Sequence, residues 1–241
     1  GFFASNQRDH MNTLNTHSHR PKTVKAVLFD MDGVIVDSEP LHHKAYYMMF
    51  EEVGITVTPE LYASFTGQAT LEICKTLCAH FMLVQPAQEL VAIKRRHFKT
   101  LFDQDPDFDL IPGVRALIQD YHKNGLTLVL ASSASMENIN RIFKRFDLGQ
   151  YFVAKLSGAD LAASKPHPEI FEKAAQATGF SPEECIVIED SENGIAAAKA
   201  AGIFAIAFDS PRSKAQDYGQ ADLVIKSFDK INYEQLKRLF H

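Results

Sequence analysis

Short apolar runs alternate with amphipathic stretches over most of the chain. Residues 24–29 read V-K-A-V-L-F and stop abruptly at Asp30-Met31-Asp32-Gly33. A run of β-formers closed by a turn signal predicts a buried strand followed by a tight loop. Ser38, with Glu39 and Pro40 behind it, has the residue type and setting of a helix N-cap and predicts a helix to about residue 53. From there to about 108 the apolar positions recur at helical spacing with almost no strand signal, and helices are predicted over 59–65, 71–82 and 87–102. At Ile111-Pro112-Gly113 the pattern changes. Helices are predicted over 114–123 (closed by Asn124-Gly125), 136–146, from Pro168, over 192–201 and from Asn232; strands are predicted over 126–131, 152–156, 185–188, 203–207 and 223–225. Ser181-Pro182-Glu183-Glu184 has capping-box spacing over a turn too short for a full helix. Helix and strand in alternation, with strands that are apolar throughout, predict an α/β fold with a parallel sheet covered on both faces.

Composition narrows the function classes. The 241 residues are 46% hydrophobic and 23% charged, values of a globular chain and not of a disordered one. A formal charge of −5 argues against broad binding to nucleic acid or anionic membrane, though not against a local basic pocket. No apolar run reaches membrane-spanning length; the longest, 195–208, is cut by Lys199. Cys74, Cys78 and Cys185 are too few and too irregular for a disulfide framework and read as reduced, buried thiols of a cytoplasmic protein. Cys74 and Cys78, four apart on a helix without flanking ligands, make a poor metal site. Residues 1–20 are polar and aperiodic, lack the apolar segment of a signal peptide, and read as a mobile tail. Its His10, His17 and His19 read as solvated rather than as metal ligands, and Gly1, ahead of Met11, reads as a scar of expression or processing. Most of the 18 Phe residues read as core rather than as platforms for bases.

Open parallel sheets carry their functional groups at the carboxyl ends of the strands. There the chain places Asp30 and Asp32 after the first strand, Ser132 at the end of the second, Lys165 ahead of the helix at Pro168, and Glu189-Asp190 after the fourth. Asp30 and Asp190 brought together repel unless a cation lies between them, and a set of oxygen ligands favours Mg²⁺ with substrate phosphate. Asp30 is then placed to attack phosphorus, and Asp32 to protonate the leaving oxygen and later deprotonate water. Lys165 and the Ser132 hydroxyl would hold the phosphoryl oxygens, while Gly33 would bring backbone N–H groups to the phosphate. Taken singly these features have plainer readings: a turn or calcium loop at Asp30-Met31-Asp32-Gly33, a loop cation at Lys165, a helix N-cap at Glu189-Asp190-Ser191.

In combination, Asp30-Met31-Asp32-Gly33-Val34, Ser132, Ser164-Lys165-Pro166 and Glu189-Asp190-Ser191-Glu192-Asn193-Gly194 resemble the four motifs of the haloacid dehalogenase-like superfamily. The resemblance runs from about residue 24 to 225. It points to the branch with a helical cap inserted after the first motif, which includes β-phosphoglucomutases and small-metabolite phosphatases. It implies a Rossmann-like three-layer core of residues 21–37 and 109–241, an all-helical cap of residues 38–108, and the tail at 1–20. It further implies Mg²⁺ as cofactor, Asp30 as nucleophile, Asp32 as acid and base, and metal ligation by the Asp30 carboxylate, the Asp32 backbone carbonyl and Asp190, with Glu189 close by. Having both Asp30 and Asp32 favours phosphoryl transfer over dehalogenation.

The cap is expected to close over the core on hinges near 36–38 and 108–112. Gly33, Ser133, His42, Gly67, Thr70 and Arg96 are the substrate-binding candidates. In the mutases the cap loop carries an arginine that grips a second phosphate; here the loop reads Thr66-Gly67-Gln68-Ala69-Thr70-Leu71, with Thr70 at that place. Threonine cannot restore a bidentate, charge-assisted contact. Lys94-Arg95-Arg96 resembles the site of a phosphate-binding lysine of the mutases, or is a solvated helix face. His42 falls where the mutases have a histidine linked to closure. The reading favoured is a phosphatase of a small phosphorylated metabolite, ahead of a phosphosugar mutase and, further back, a phosphoacceptor or silent binding protein. A monomer is expected, with no nucleic-acid or membrane partner.

Overall fold

A computed structural model describes residues 20–21, 23–211 and 216–240. The tail expected over 1–20, with its three histidines, lies outside the described residues except for Arg20. Six parallel strands form one sheet: β1 (Ala26–Phe29), β2 (Thr127–Ser132), β3 (Ala154–Ser157), β4 (Cys185–Glu189), β5 (Phe204–Phe208) and β6 (Leu223–Ile225), in the order β3-β2-β1-β4-β5-β6. Between β1 and β4 the order of the strands reverses direction, and a crevice opens at their carboxyl ends.

The strands read as unbroken apolar runs because both faces are buried. Val27 and Phe29 point into one core with Ile186, Ile188 and Ile206, covered by α5 (Val114–Lys123), α6 (Met136–Phe146) and α9 (Tyr233–Leu239). Ala26 and Leu28 point into the other with Val187 and Ala205, covered by α7 (Glu169–Thr178) and α8 (Glu192–Ala200). Each fully buried Leu, Ile or Phe contributes about 1.5–3 kcal/mol of transfer free energy, so the two faces together hold the sheet.

Between β1 and α5 come α1 (Glu39–Val53), α2 (Pro59–Ala63), α3 (Thr70–Phe81) and α4 (Ala87–Gln104). These four helices enclose a third cluster around Met49, Phe50, Leu77 and Leu90. Thus the fold is a Rossmann-like α/β core with a helical cap. The two passages between cap and core run side by side: Val36 pairs with Leu110, and Ile111 N–H donates to the Ile35 carbonyl at 2.8 Å. Among the described residues no helix is long and apolar enough to cross a membrane. The turn at Pro182–Glu184 is 3₁₀, with Ser181 Oγ on Glu184 Oε1. Cys74 and Cys185 are buried and Cys78 half-buried, all as free thiols.

Candidate active site

Strand register gathers the acidic groups. Phe29 lies opposite Leu130 of β2 and Ile188 of β4, so the next residues along, Asp30 and Glu189, emerge together at the carboxyl edge. Lys165 reaches in from the loop before α7 and is almost fully buried; its ammonium donates to Glu189 Oε2 at 2.6 Å, Asp30 Oδ1 at 3.1 Å and the Ala131 carbonyl at 3.1 Å. Burial works against that charge, yet Asp30 and Glu189 hold its pKa above that of an ordinary lysine. One ammonium does not balance three carboxylates. Burial and the charge of Glu189 push Asp30 well above the usual carboxylate range and Asp190 up to about 8.

Asp30, Glu189 and Asp190 can each present an oxygen within 4.8 Å of the others. Both oxygens of Glu189 are already engaged, Oε2 by Lys165 and Oε1 by the backbone N–H groups of Asp190 and Ser191. That leaves Asp30 and Asp190 as the carboxylates best placed to take a cation, and an all-oxygen, crowded anionic set fits Mg²⁺. Gly33 also makes room for this cluster. Its own N–H donates to the Val36 carbonyl at 2.9 Å, while a Cβ there would lie 1.9 Å from Asp190 Oδ2. With φ at 85°, glycine lets the loop turn and leaves room for the aspartate.

Asp32 turns away toward the cap. Its Oδ1 accepts from His42 Nε2 at 3.0 Å and from the Ser38 hydroxyl. Ser38 stands at the N-cap position of α1 but makes no side-chain cap bond: its backbone is helical and not extended, and its side chain is turned to Asp32. Burial alone would raise the Asp32 pKa; the hydrogen bonds from His42 and Ser38, with the charge of Lys94 beyond them, outweigh it and hold the group low. Lys94 Nζ donates to His42 Nδ1 at 2.8 Å. An ammonium can only donate, so Nδ1 accepts and Nε2 carries the proton toward Asp32.

The run Lys94-Arg95-Arg96 divides. Arg95 and Arg96 lie on the exposed face at the cavity rim, and Arg96, expected to bind substrate, grips Glu52 at 2.8 and 2.9 Å. Lys94 is buried over the rings of Tyr46 and Phe98, and burial lowers its pKa to about 8. The phase of α4 carried that signal: Leu90, Lys94, Phe98 and Phe102 follow at intervals of four, one buried stripe.

Ser132 ends β2 fully buried, its Oγ accepting from Ala134 N–H at 3.1 Å, which leaves the hydroxyl proton to give. Ser133, expected on the substrate, donates instead to the Gly67 carbonyl of the cap loop at 3.0 Å. Thr70 opens α3 and accepts from the Tyr46 hydroxyl at 3.1 Å. Asp30, Asp32, Lys165 and Asp190 line the core side of a cavity of about 700 Å³, and Tyr46, Phe65, Thr70 and Lys94 line the cap side.

A family model described as haloacid dehalogenase-like hydrolase matches residues 24–202. β-Phosphoglucomutase of Bacillus subtilis (strain 168) is 31% identical over 218 residues, covering 88% of this chain and 94% of that protein. Hexitol phosphatase B of Escherichia coli (strain K12) is 28% identical over 218 residues, covering 90% and 98%. The crystal structure of CbbY from Rhodobacter sphaeroides in complex with phosphate has a TM-score of 0.80 at 26% identity, covering 89% of this chain and 100% of that one. With Asp30, Lys165 and the acidic pair drawn to one sheet edge beneath a helical cap, and with this match across most of its length, the chain belongs to the haloacid dehalogenase-like hydrolases.

Proposed function

We propose that the chain is a Mg²⁺-dependent phosphatase of a small phosphorylated metabolite, such as a sugar phosphate, working through an aspartyl-phosphate on Asp30. The observation that carries this reading is the Asp30 carboxylate set at the sheet edge between Lys165 and the acidic pair. A carboxylate oxygen of Asp30 attacks phosphorus as the ester P–O bond breaks in line. Asp32, oriented by Ser38 and His42, delivers a proton to the leaving oxygen and then takes one from the water that attacks the aspartyl-phosphate, releasing inorganic phosphate. Lys165 and the Ser132 hydroxyl hold the phosphoryl oxygens. The Asp30 and Asp190 carboxylates and the Asp32 backbone carbonyl would hold Mg²⁺, which when bound would supply charge neutralisation for the entering phosphoryl group.

Thr70 favours hydrolysis over mutase chemistry. A mutase holds a bisphosphate in two orientations, and a hydroxyl bonded to Tyr46 is a weak substitute for an arginine on the second phosphate. One observation favours the mutase reading, the ammonium of Lys94 buried on the cap side of the cavity. The two separate when purified protein with Mg²⁺ is given a panel of sugar phosphates, and phosphate release is scored apart from isomerisation of β-glucose 1-phosphate primed with its bisphosphate. Release is expected to dominate; isomerisation outrunning it would sink the phosphatase reading. Asp30→Asn is expected to abolish both turnover and labelling of the protein by phosphate.

A further inference from the structure

The cap loop 66–68 is fastened to the core by two side chains that come from two different catalytic motifs. Ser133, next after Ser132, donates its hydroxyl to the Gly67 carbonyl at 3.0 Å. Asn193, three residues after Asp190, donates its side-chain amide to the Thr66 carbonyl at 2.7 Å. Between them Gly67 lies flat on the core: a Cβ at that position would meet Ser191 Oγ at 2.5 Å and Asn193 Cβ at 3.3 Å. Both acceptors are main-chain carbonyls, so the contact reads the path of the loop and not its side chains.

We infer that Asn193 and Ser133 are positioning residues forming a latch that holds the cap closed over Asp30, with Gly67 as the contact the latch requires. Neither side chain needs to touch substrate for this. The loop rests on Ser191, whose hydroxyl bonds Glu189 Oε1 at 3.3 Å, and Glu189 holds Lys165 against Asp30. A seated loop therefore packs on the same group that fixes the nucleophile's lysine. Closing also excludes bulk water while the leaving group departs.

Asn193→Asp is the sharpest test. It keeps size and shape, and an acid in the first turn of α8 suits the helix N-terminus, but the amide donor is gone and an anion faces the Thr66 carbonyl. Ser133→Ala removes the other bond. Hydrogen–deuterium exchange of peptides covering residues 62–70 reads the latch directly in the substrate-free protein. Each single variant is expected to speed exchange there roughly fivefold, and the double variant more, as expected for the loss of one net hydrogen bond each. Peptides from β1 and β4 should exchange as in the unaltered protein. The kinetic arm rests on the phosphatase reading: KM for an accepted phosphate ester is expected to rise severalfold, with kcat changed less than about twofold while closure still follows binding. Unchanged exchange over 62–70 in the double variant overturns the latch whatever the kinetics. A collapse of kcat at unchanged KM overturns it too, by placing these residues in the chemistry. Because exchange needs no substrate, failure of the latch and failure of the phosphatase reading remain distinguishable.

Discussion

Lys94 carries a buried ammonium to the cap side of the cavity, where its neighbours are the His42 ring nitrogen and the faces of Tyr46 and Phe98. None of these is an anion in contact; Asp32 acts from beyond His42 and only partly opposes the burial that brings the pKa to about 8. The sign of the consequence follows from where each state holds its proton. Between about 8 and the ordinary lysine value of 10.5 the unfolded chain keeps a proton that the folded one has released, so folded stability rises with pH across that window. Below it the folded chain bears the full cost of a buried charge. Lys94→Met removes the effect. Stability measured by urea unfolding at several pH values should show the unaltered protein gaining on Lys94→Met as pH rises from 7 to 10, by an amount on the order of 3 kcal/mol at most. Parallel pH curves for the two proteins would refute the buried, charged lysine. Reading adjacent charges as one solvated face is what hides this residue in the sequence. Neighbours along a helix point in different directions, and it is the spacing to Leu90, Phe98 and Phe102 that places Lys94 inside.

Helix α8 shows how one element is shaped by the site beneath it. Ser191 caps it, accepting from Gly194 N–H at 3.0 Å, and the helix starts directly over Glu189. A Cβ on Gly194 would lie 2.0–2.4 Å from the Glu189 carboxylate. Intrinsic propensity favours alanine over glycine inside a helix by about 1 kcal/mol, so an alanine here would stabilise the helix in isolation. In the protein the carboxylate would have to move, and it is fully buried with both oxygens bonded to Lys165, Asp190 N–H and Ser191. Gly194→Ala is therefore expected to lower the melting temperature and to cut turnover at least tenfold, since Lys165 loses its shorter anchor. An alanine variant matching the unaltered protein in both measurements would refute the packing argument. The same contrast explains how much of the fold was legible in advance. Strands β1, β2, β4 and β5 announced themselves because burial on both faces leaves no polar interruption. Their ends differ from the predicted ones by a residue or two, as with Phe204–Phe208 against a predicted 203–207, because ladder register and not hydropathy ends a strand. Asp30, Asp32, Glu189 and Asp190 were legible as candidates from their places at or just past strand ends, and Lys165 from its place in the loop ahead of α7. What each side chain touches was not: Ser38 serving Asp32 instead of its own helix, and Asn193 reaching Thr66, are long-range outcomes that no local pattern encodes.

At the scale of the molecule the active site lies in a seam. The four cap helices have their own cluster around Met49 and Leu77, but Leu41, Ala45, Phe98 and Phe102 belong to the main core, so the cap base is joined to the sheet domain while the loop 66–68 meets it at the far side of the cavity. The acidic corner faces that cavity, and its charge is tied to the stability of the whole chain. Asp30 and Asp190 hold protons in the cation-free folded state at pH values where unfolded aspartates, near 3.8, have lost them. Folded stability without a cation should therefore fall as pH rises from about 4 toward about 8, because the native state must give up protons into a crowded anionic site. A divalent cation that takes these deprotonated carboxylates in the folded chain alone should stabilise it increasingly over the same range. Thermal melts with chelator and with millimolar Mg²⁺ at pH 5.5 and 8.5 test this. The shift produced by Mg²⁺ is expected to be several degrees larger at pH 8.5 and to vanish in Asp190→Asn, which itself should be less sensitive to pH in the absence of the cation. An equal shift at both pH values, or one that survives Asp190→Asn, would place the cation elsewhere and leave the acidic pair to be balanced by Lys165 alone.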